Sequence, residues 1–227
     1  MKGLVALTFV LMGIAFAQVQ TGGLGGESKT IEENGYYSVQ RLELAGATRA
    51  LLPPRPTDTI VVALGTGIGI EPGKAASLDD GDVRFLPRSK EASIVHGDEP
   101  PAQAVLIDLK KHWEDEIQPC HGPQCNHAIR VGGMEIGQST SLFTNGFVTA
   151  YRDRMDAGGT LSTSYYSKSG THHLMVIALD DLHANFDGAG KELKRGQVFG
   201  TDANEVEVDA GAHAVRWIVI RIETPKQ

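Results

Sequence analysis

The chain has 227 residues, 41% of them hydrophobic and 22% charged, with a formal net charge of −7 and two cysteines. That is enough apolar material for one large core or two small ones. The acidic balance, with no local cluster of Lys or Arg, offers nothing to a phosphate backbone, and nucleic acid is excluded as an expected partner.

Lys2 is followed by an apolar run from Gly3 to Phe16 that ends in the small-residue step Ala15-Phe16-Ala17. This is the pattern of a secretory signal peptide, residues 1–17, with cleavage expected before Gln18. The run is short for a membrane span, and the expected location is secreted or periplasmic, with no membrane contact after cleavage. Residues 18–33, which contain Thr21-Gly22-Gly23-Leu24-Gly25-Gly26, are expected to be a flexible lead-in.

Two segments then begin alike, Asn34-Gly35-Tyr36-Tyr37-Ser38 and Asn145-Gly146-Phe147-Val148-Thr149. Arg41 and Arg152 keep the same phase, and Ile60-Val61-Val62-Ala63-Leu64 matches Met175-Val176-Ile177-Ala178-Leu179. From there a constant shift pairs Gly73 with Gly188, Leu78 with Leu193, Gly81 with Gly196 and Val83 with Val198. A shared period of this kind is the mark of an internal repeat. The units are set at residues 34–108 and 134–227. Within each, short runs rich in Val and Ile are separated by Gly, Pro, Asp or Asn, which is the chemistry of strands and turns. The fold class expected is all-β. Gly65-Thr66-Gly67-Ile68-Gly69 reads as a hairpin turn, because Pro72 and Gly73 stand where a phosphate-binding helix would have to begin.

Between the units, residues 109–133 form a connector. It holds one helical candidate, Leu109 to Ile117, and then Cys120-His121-Gly122-Pro123-Gln124-Cys125. In an oxidising compartment Cys120 and Cys125 close as a local disulfide that stiffens the Gly-Pro turn. The rival is a metal site built from both thiolates with His121 and His127, although structural zinc favours tighter spacing and a second knuckle.

The order of elements in each unit resembles the cupin family. Thr59-Ile60-Val61-Val62-Ala63-Leu64-Gly65 looks like the strand and glycine that close the family's first motif. Gly81-Asp82-Val83-Arg84-Phe85-Leu86-Pro87 looks like the opening of its second. The second unit keeps Gly196-Gln197-Val198-Phe199 but has Asp202 in place of the proline. The resemblance covers nearly all of the chain after the leader. It implies two cupin-like jelly-roll barrels in tandem, a degenerate bicupin, and two barrels of this kind are expected to pair into a homo-oligomer through their strand edges.

Metal-binding cupins hold an ion with three histidines and an acidic residue. Carried over by position, the first unit offers Leu51, Pro53, Asp58 and Ala92, of which only Asp58 could ligate. The resemblance therefore implies no metal there and an empty or apolar cavity. The second unit offers Tyr166, Lys168, His173 and Glu207 at the same positions. Tyr166, His173 and Glu207 would share one barrel interior, as an acid–base set or, with Lys168, as a polar clamp on a ligand. A transition metal would be weakly held by His173 and Glu207 with help from His183 or His213. The competing reading is that these groups satisfy one another as ordinary buried polar side chains. No Gly-x-Ser-x-Gly elbow is present, and cysteines closed in a disulfide cannot act as nucleophiles.

The function expected from this reading is an exported, non-catalytic protein that binds a small molecule or a partner through the second barrel, without a resident cofactor. The alternative is a cupin-type isomerase, lyase or oxygenase-like enzyme centred on His173 and Glu207, metal-assisted or not.

Overall fold

A computed structural model describes residues 20–21, 26–71, 77–97, 100–110, 118–145, 147–164 and 170–225. The leader 1–17, most of the helical candidate in the connector, and both Tyr166 and Lys168 lie outside the described residues.

The strands of the first unit are β1 (Gln20–Thr21), β2 (Gly26–Glu33), β3 (Tyr37–Leu44), β4 (Arg49–Leu52), β5 (Thr59–Leu64), β6 (Ile68–Glu71), β7 (Val83–Leu86), β8 (Ala92–His96) and β9 (Ala102–Leu109). The connector contributes β10 (Gln118–Pro119), a short 3-10 turn (Pro123–Cys125) and β11 (Asn126–Val131). The second unit follows with β12 (Met134–Thr144), β13 (Val148–Met155), β14 (Thr160–Ser164), β15 (Gly170–Ala178), β16 (Leu182–Phe186), β17 (Ala189–Leu193), β18 (Val198–Thr201), β19 (Glu205–Asp209) and β20 (Val215–Pro225).

Each unit is a jelly roll of two facing sheets. In the first the orders are β2-β3-β9-β5-β7 and β1-β4-β8-β6. In the second they are β10-β12-β13-β20-β15-β18, with β11 added on β12, and β14-β19-β16-β17. The order β3-β9-β5-β7 thus recurs as β13-β20-β15-β18. Among the described residues no ladder joins the two sheets of a unit into a closed barrel.

The cores explain the strand compositions. One apolar cluster fills the first unit around Leu42, Val61, Ile94 and Leu106, and a second fills the other unit around Leu174, Val176, Val208 and Trp217. The third lies between the two large sheets, where Tyr37, Ile60, Val62, Ile107, Met175, Ile177, Ile218 and Ile220 meet. The central strands of the large sheets are therefore covered on both faces, and β5 is buried along its whole length, apolar from Ile60 to Leu64. Strand β19 has one face to solvent and alternates exposed and buried.

The seam between the units is reciprocal. Gly81 packs so that an added Cβ would lie 2.6 Å from Leu179, and at Gly196 it would lie 3.3 Å from Leu64. Both glycines have positive φ, 82° and 77°. Arg152 bonds Asp82 across the seam at 3.1 Å, while Arg41 donates to the Gly196 carbonyl. Asn34 and Asn145, matched in sequence, build the same turn, since each carboxamide oxygen accepts the backbone N–H groups two and three residues on.

Three local expectations are corrected. Residues 26–33, read as flexible because of the preceding glycines, form β2 and pair along β3. The back half of the connector is a strand, β11, on β12, because its polar residues face solvent while its backbone completes a ladder. The turn after β5 is not a hairpin, since β5 and β6 belong to different sheets and the chain crosses between them there. Cys120 and Cys125 are joined in a disulfide, and no free cysteine remains.

Candidate functional site

Strand alternation decides which side chains reach the cleft of the second jelly roll. Leu174, Val176 and Ala178 of β15 belong to its interior cluster, which puts His172 on the interior face and His173 on the seam. His172 is buried, with Nε2 3.0 Å from the Ala203 carbonyl. On β19 the interior residues are Val206 and Val208, so Glu207 is exposed on the outer face. The structure therefore does not bring His173 and Glu207 together; the carry-over by position is one residue out of phase with the pleat. His183 is exposed on β16 opposite Glu192, and His213 lies in an exposed turn after β19. Among the described residues no group of three or more His, Cys, Asp or Glu side chains could hold a metal ion.

His173 has a different setting. Its Nδ1 lies 2.6 Å from Asp202 Oδ1 and its Nε2 lies 2.8 Å from Tyr37 Oη, which donates to Glu32 Oε1 at 2.6 Å. The Tyr36 ring stacks on the imidazole with centroids 5.3 Å apart. Burial, reinforced by Glu32, raises the Tyr37 phenol far above its ordinary range and keeps it protonated. Gly200 closes the array: a Cβ there would stand 2.1 Å from Tyr37 Oη and 2.9 Å from His173 Nε2. With Tyr37 fully buried and Asp202 at the exposed end, the array ties the two units together.

The cleft itself is a cavity of about 300 Å³ lined by Ile129, Ser139, Tyr151, Asp153, Leu161, Thr163, Ser164 and Arg221. It opens where the β11–β12 hairpin of one sheet and edge strand β14 of the other part company. Asp153 is 4% exposed and its Oδ1 has no hydrogen-bond partner. Burial pushes its carboxyl up to about 6, against a smaller lowering by a hydrogen bond to Ser139, its register partner on β12. Tyr151 stands two residues away on the same face of β13. Arg221, from β20, pairs with Glu223 at 3.0 Å.

The interior of the first unit is not chemically silent. Asp58 accepts the Arg88 N–H, which fixes the loop between β7 and β8 rather than presenting a ligand. Arg55, 6% exposed, pairs with Asp108, which also accepts the Thr59 hydroxyl at 2.6 Å. Leu51 is exposed and Ala92 is buried in the apolar cluster.

No protein-family model matches the sequence, and no curated protein matches it. Solved structures do. A cupin 2 conserved barrel domain protein from Leptotrichia buccalis superposes with a TM-score of 0.55 at 14% identity, covering 90% of this chain and 92% of that one. The chain has the cupin fold. An oxalate decarboxylase from Bacillus subtilis matches with a TM-score of 0.60 at 11% identity over 90% of this chain and 75% of its own. Vicilin from hazelnut, Corylus avellana, matches with a TM-score of 0.61 at 10% identity over 90% and 83%. A cupin fold that carries names this different does not by itself select a chemistry, so function has to be sought in the side chains of the cleft.

The residues that matter there carry no motif. Asp153 sits in Tyr151-Arg152-Asp153-Arg154, which reads as an ordinary polar edge. The available signal is phase: with Val148 and Ala150 on the seam, the odd-numbered residues up to Met155 must face the interior.

Proposed function

We propose that this is an exported, non-catalytic binding protein that takes a small molecule into the cleft of its second jelly roll. The observation that carries the reading is Asp153: a carboxyl buried in a cleft, with an oxygen left without a partner. Buried polar groups are normally satisfied, and one that is unsatisfied beside open volume awaits a ligand group. The volume suits a compound of a few to about ten heavy atoms, since water fills about 30 Å³ per molecule. The apolar leader and the Cys120–Cys125 disulfide support export.

The test is a thermal-shift screen of the mature protein against small polar compounds, repeated with Asp153→Ala. A ligand that binds the folded state raises its stability in proportion to the logarithm of its concentration over Kd. The variant should lose that rise; a full rise in Asp153→Ala rejects the cleft as the site.

A second reading, acid–base catalysis in the same cleft, is favoured by the Asp153 carboxyl titrating at about 6, close to where a proton-transfer group is most effective. Chemical conversion of a bound compound, abolished in Asp153→Asn, would select this reading over simple binding.

A further inference from the structure

Resting on the binding reading above, we infer that the cleft selects a small organic ammonium ion, seated between the Tyr151 ring and the Asp153 carboxylate. Among the described residues no basic side chain pairs with Asp153, and nothing positive contributes to its titration. A buried carboxylate without a counter-ion is stabilised most by a ligand that brings the missing charge. Tyr151 and Asp153 are two residues apart on one face of β13, so their Cα atoms are about 7 Å apart. That spacing lets one cation of ammonium size lie over the ring face and within reach of the carboxylate.

The other occupants fit less well. An anion would need Arg221, whose Nε is buried without a partner but whose charge is already paired with Glu223 at 3.0 Å. It also lies four positions along β20 from Trp217, the register partner of Asp153, which is about 14 Å of strand. A bare divalent metal would find one carboxylate and the hydroxyls of Ser139, Thr163 and Ser164, without the further carboxylate or imidazole donors it needs. The hydroxyls can instead accept N–H donors from a primary ammonium or the hydroxyl of an amino alcohol.

The ionisable groups on the packed strands are few, and one is incompletely paired: Arg221 Nε is buried without a hydrogen-bond partner. On β20 these are Arg221 and Glu223, joined to each other; on β15 it is His172, bonded to a backbone carbonyl; on the hairpin Glu135 pairs with Arg130 at 3.5 Å. The interior side chains of β14 and β19 are Leu161, Thr163, Val206 and Val208, none of which titrates. His127 of β11, the register partner of Ser139, is exposed on the same face of that sheet, so it is the loss of pH dependence in Asp153→Asn that assigns the dependence to Asp153.

The experiment is isothermal titration of the mature protein with two matched pairs, choline against its uncharged isostere dimethylbutanol, and butylamine against butanol, at pH 8 and pH 5. The expected result is that at least one ammonium binds ten times or more tighter than its neutral partner at pH 8. That preference should shrink about tenfold at pH 5, below the Asp153 carboxyl, and vanish in Asp153→Asn. Tyr151→Leu should weaken choline while leaving the pH dependence in place. Equal binding of charged and neutral partners, lost in Asp153→Ala, leaves the cleft as the binding site and overturns the ammonium assignment. Binding of the ammonium unchanged in Asp153→Asn overturns the assignment as well. If neither ammonium binds while acetate or another anion does so in an Asp153-independent manner, both readings fall.

Discussion

Replacing Asp153 by Asn should make the ligand-free protein more stable at pH 8 and remove part of its pH dependence. The carboxyl titrates at about 6 in the folded chain against an ordinary 3.8, because burial penalises its charged form. A group whose folded value lies above its unfolded value is more protonated in the native state between the two. Its contribution therefore declines as pH rises from about 4 through 6 and is constant, and unfavourable, above about 7. At about 1.4 kcal/mol per tenfold change in proton affinity, the gap sets an upper limit of about 3 kcal/mol. Asn keeps the shape and carries no charge, but its amide also needs partners, so a net gain of about 1–2 kcal/mol is expected at pH 8. Urea unfolding of both proteins at pH 5 and pH 8, with the m-values compared, measures this. The gain should be smaller at pH 5 than at pH 8. A variant that is less stable than wild type at pH 8, or a difference that does not change with pH, would refute the account of Asp153 as an unpaired buried carboxylate.

Other expectations follow from the seam and the connector. Tyr37→Phe leaves Glu32 and His173 without their shared partner and should cost about 2 kcal/mol in urea unfolding, with Gly200→Ala at least as damaging because its methyl group has no room. Gly81→Ala should destabilise the contact between units by about 1–3 kcal/mol, through both its positive φ and the approach to Leu179, while Gly132→Ala, in open space, should show only the backbone part of that effect. Alkylation of the unfolded protein with and without reductant should reveal two cysteines only after reduction, and Cys125→Ser should cost about 2 kcal/mol. Glu207→Ala should leave ligand binding within error of wild type, since its side chain lies on the solvent face of β19.

The sequence by itself determined the strand content and the doubling. Local chemistry suffices for both: runs of Val and Ile bounded by glycine and proline can form little else, and Asn34 and Asn145 each specify the same turn through contacts within three residues. It also placed Cys120 and Cys125 in reach of each other, because they are five residues apart around a Gly-Pro turn. Which face of β15 and β19 points inward was not legible. His172-His173 offers imidazole to both faces, and β15 is apolar on both sides because the seam covers one face as fully as the core covers the other. Hydrophobic alternation, the usual guide to phase, is erased in a doubly buried strand. The tertiary structure alone decided that His173 meets Tyr37 from the other unit, 136 residues away. It alone decided, too, that Asp153 lies buried without a counter-ion: a carboxylate's partners are set by what the opposing sheet brings to it, and no local pattern records that.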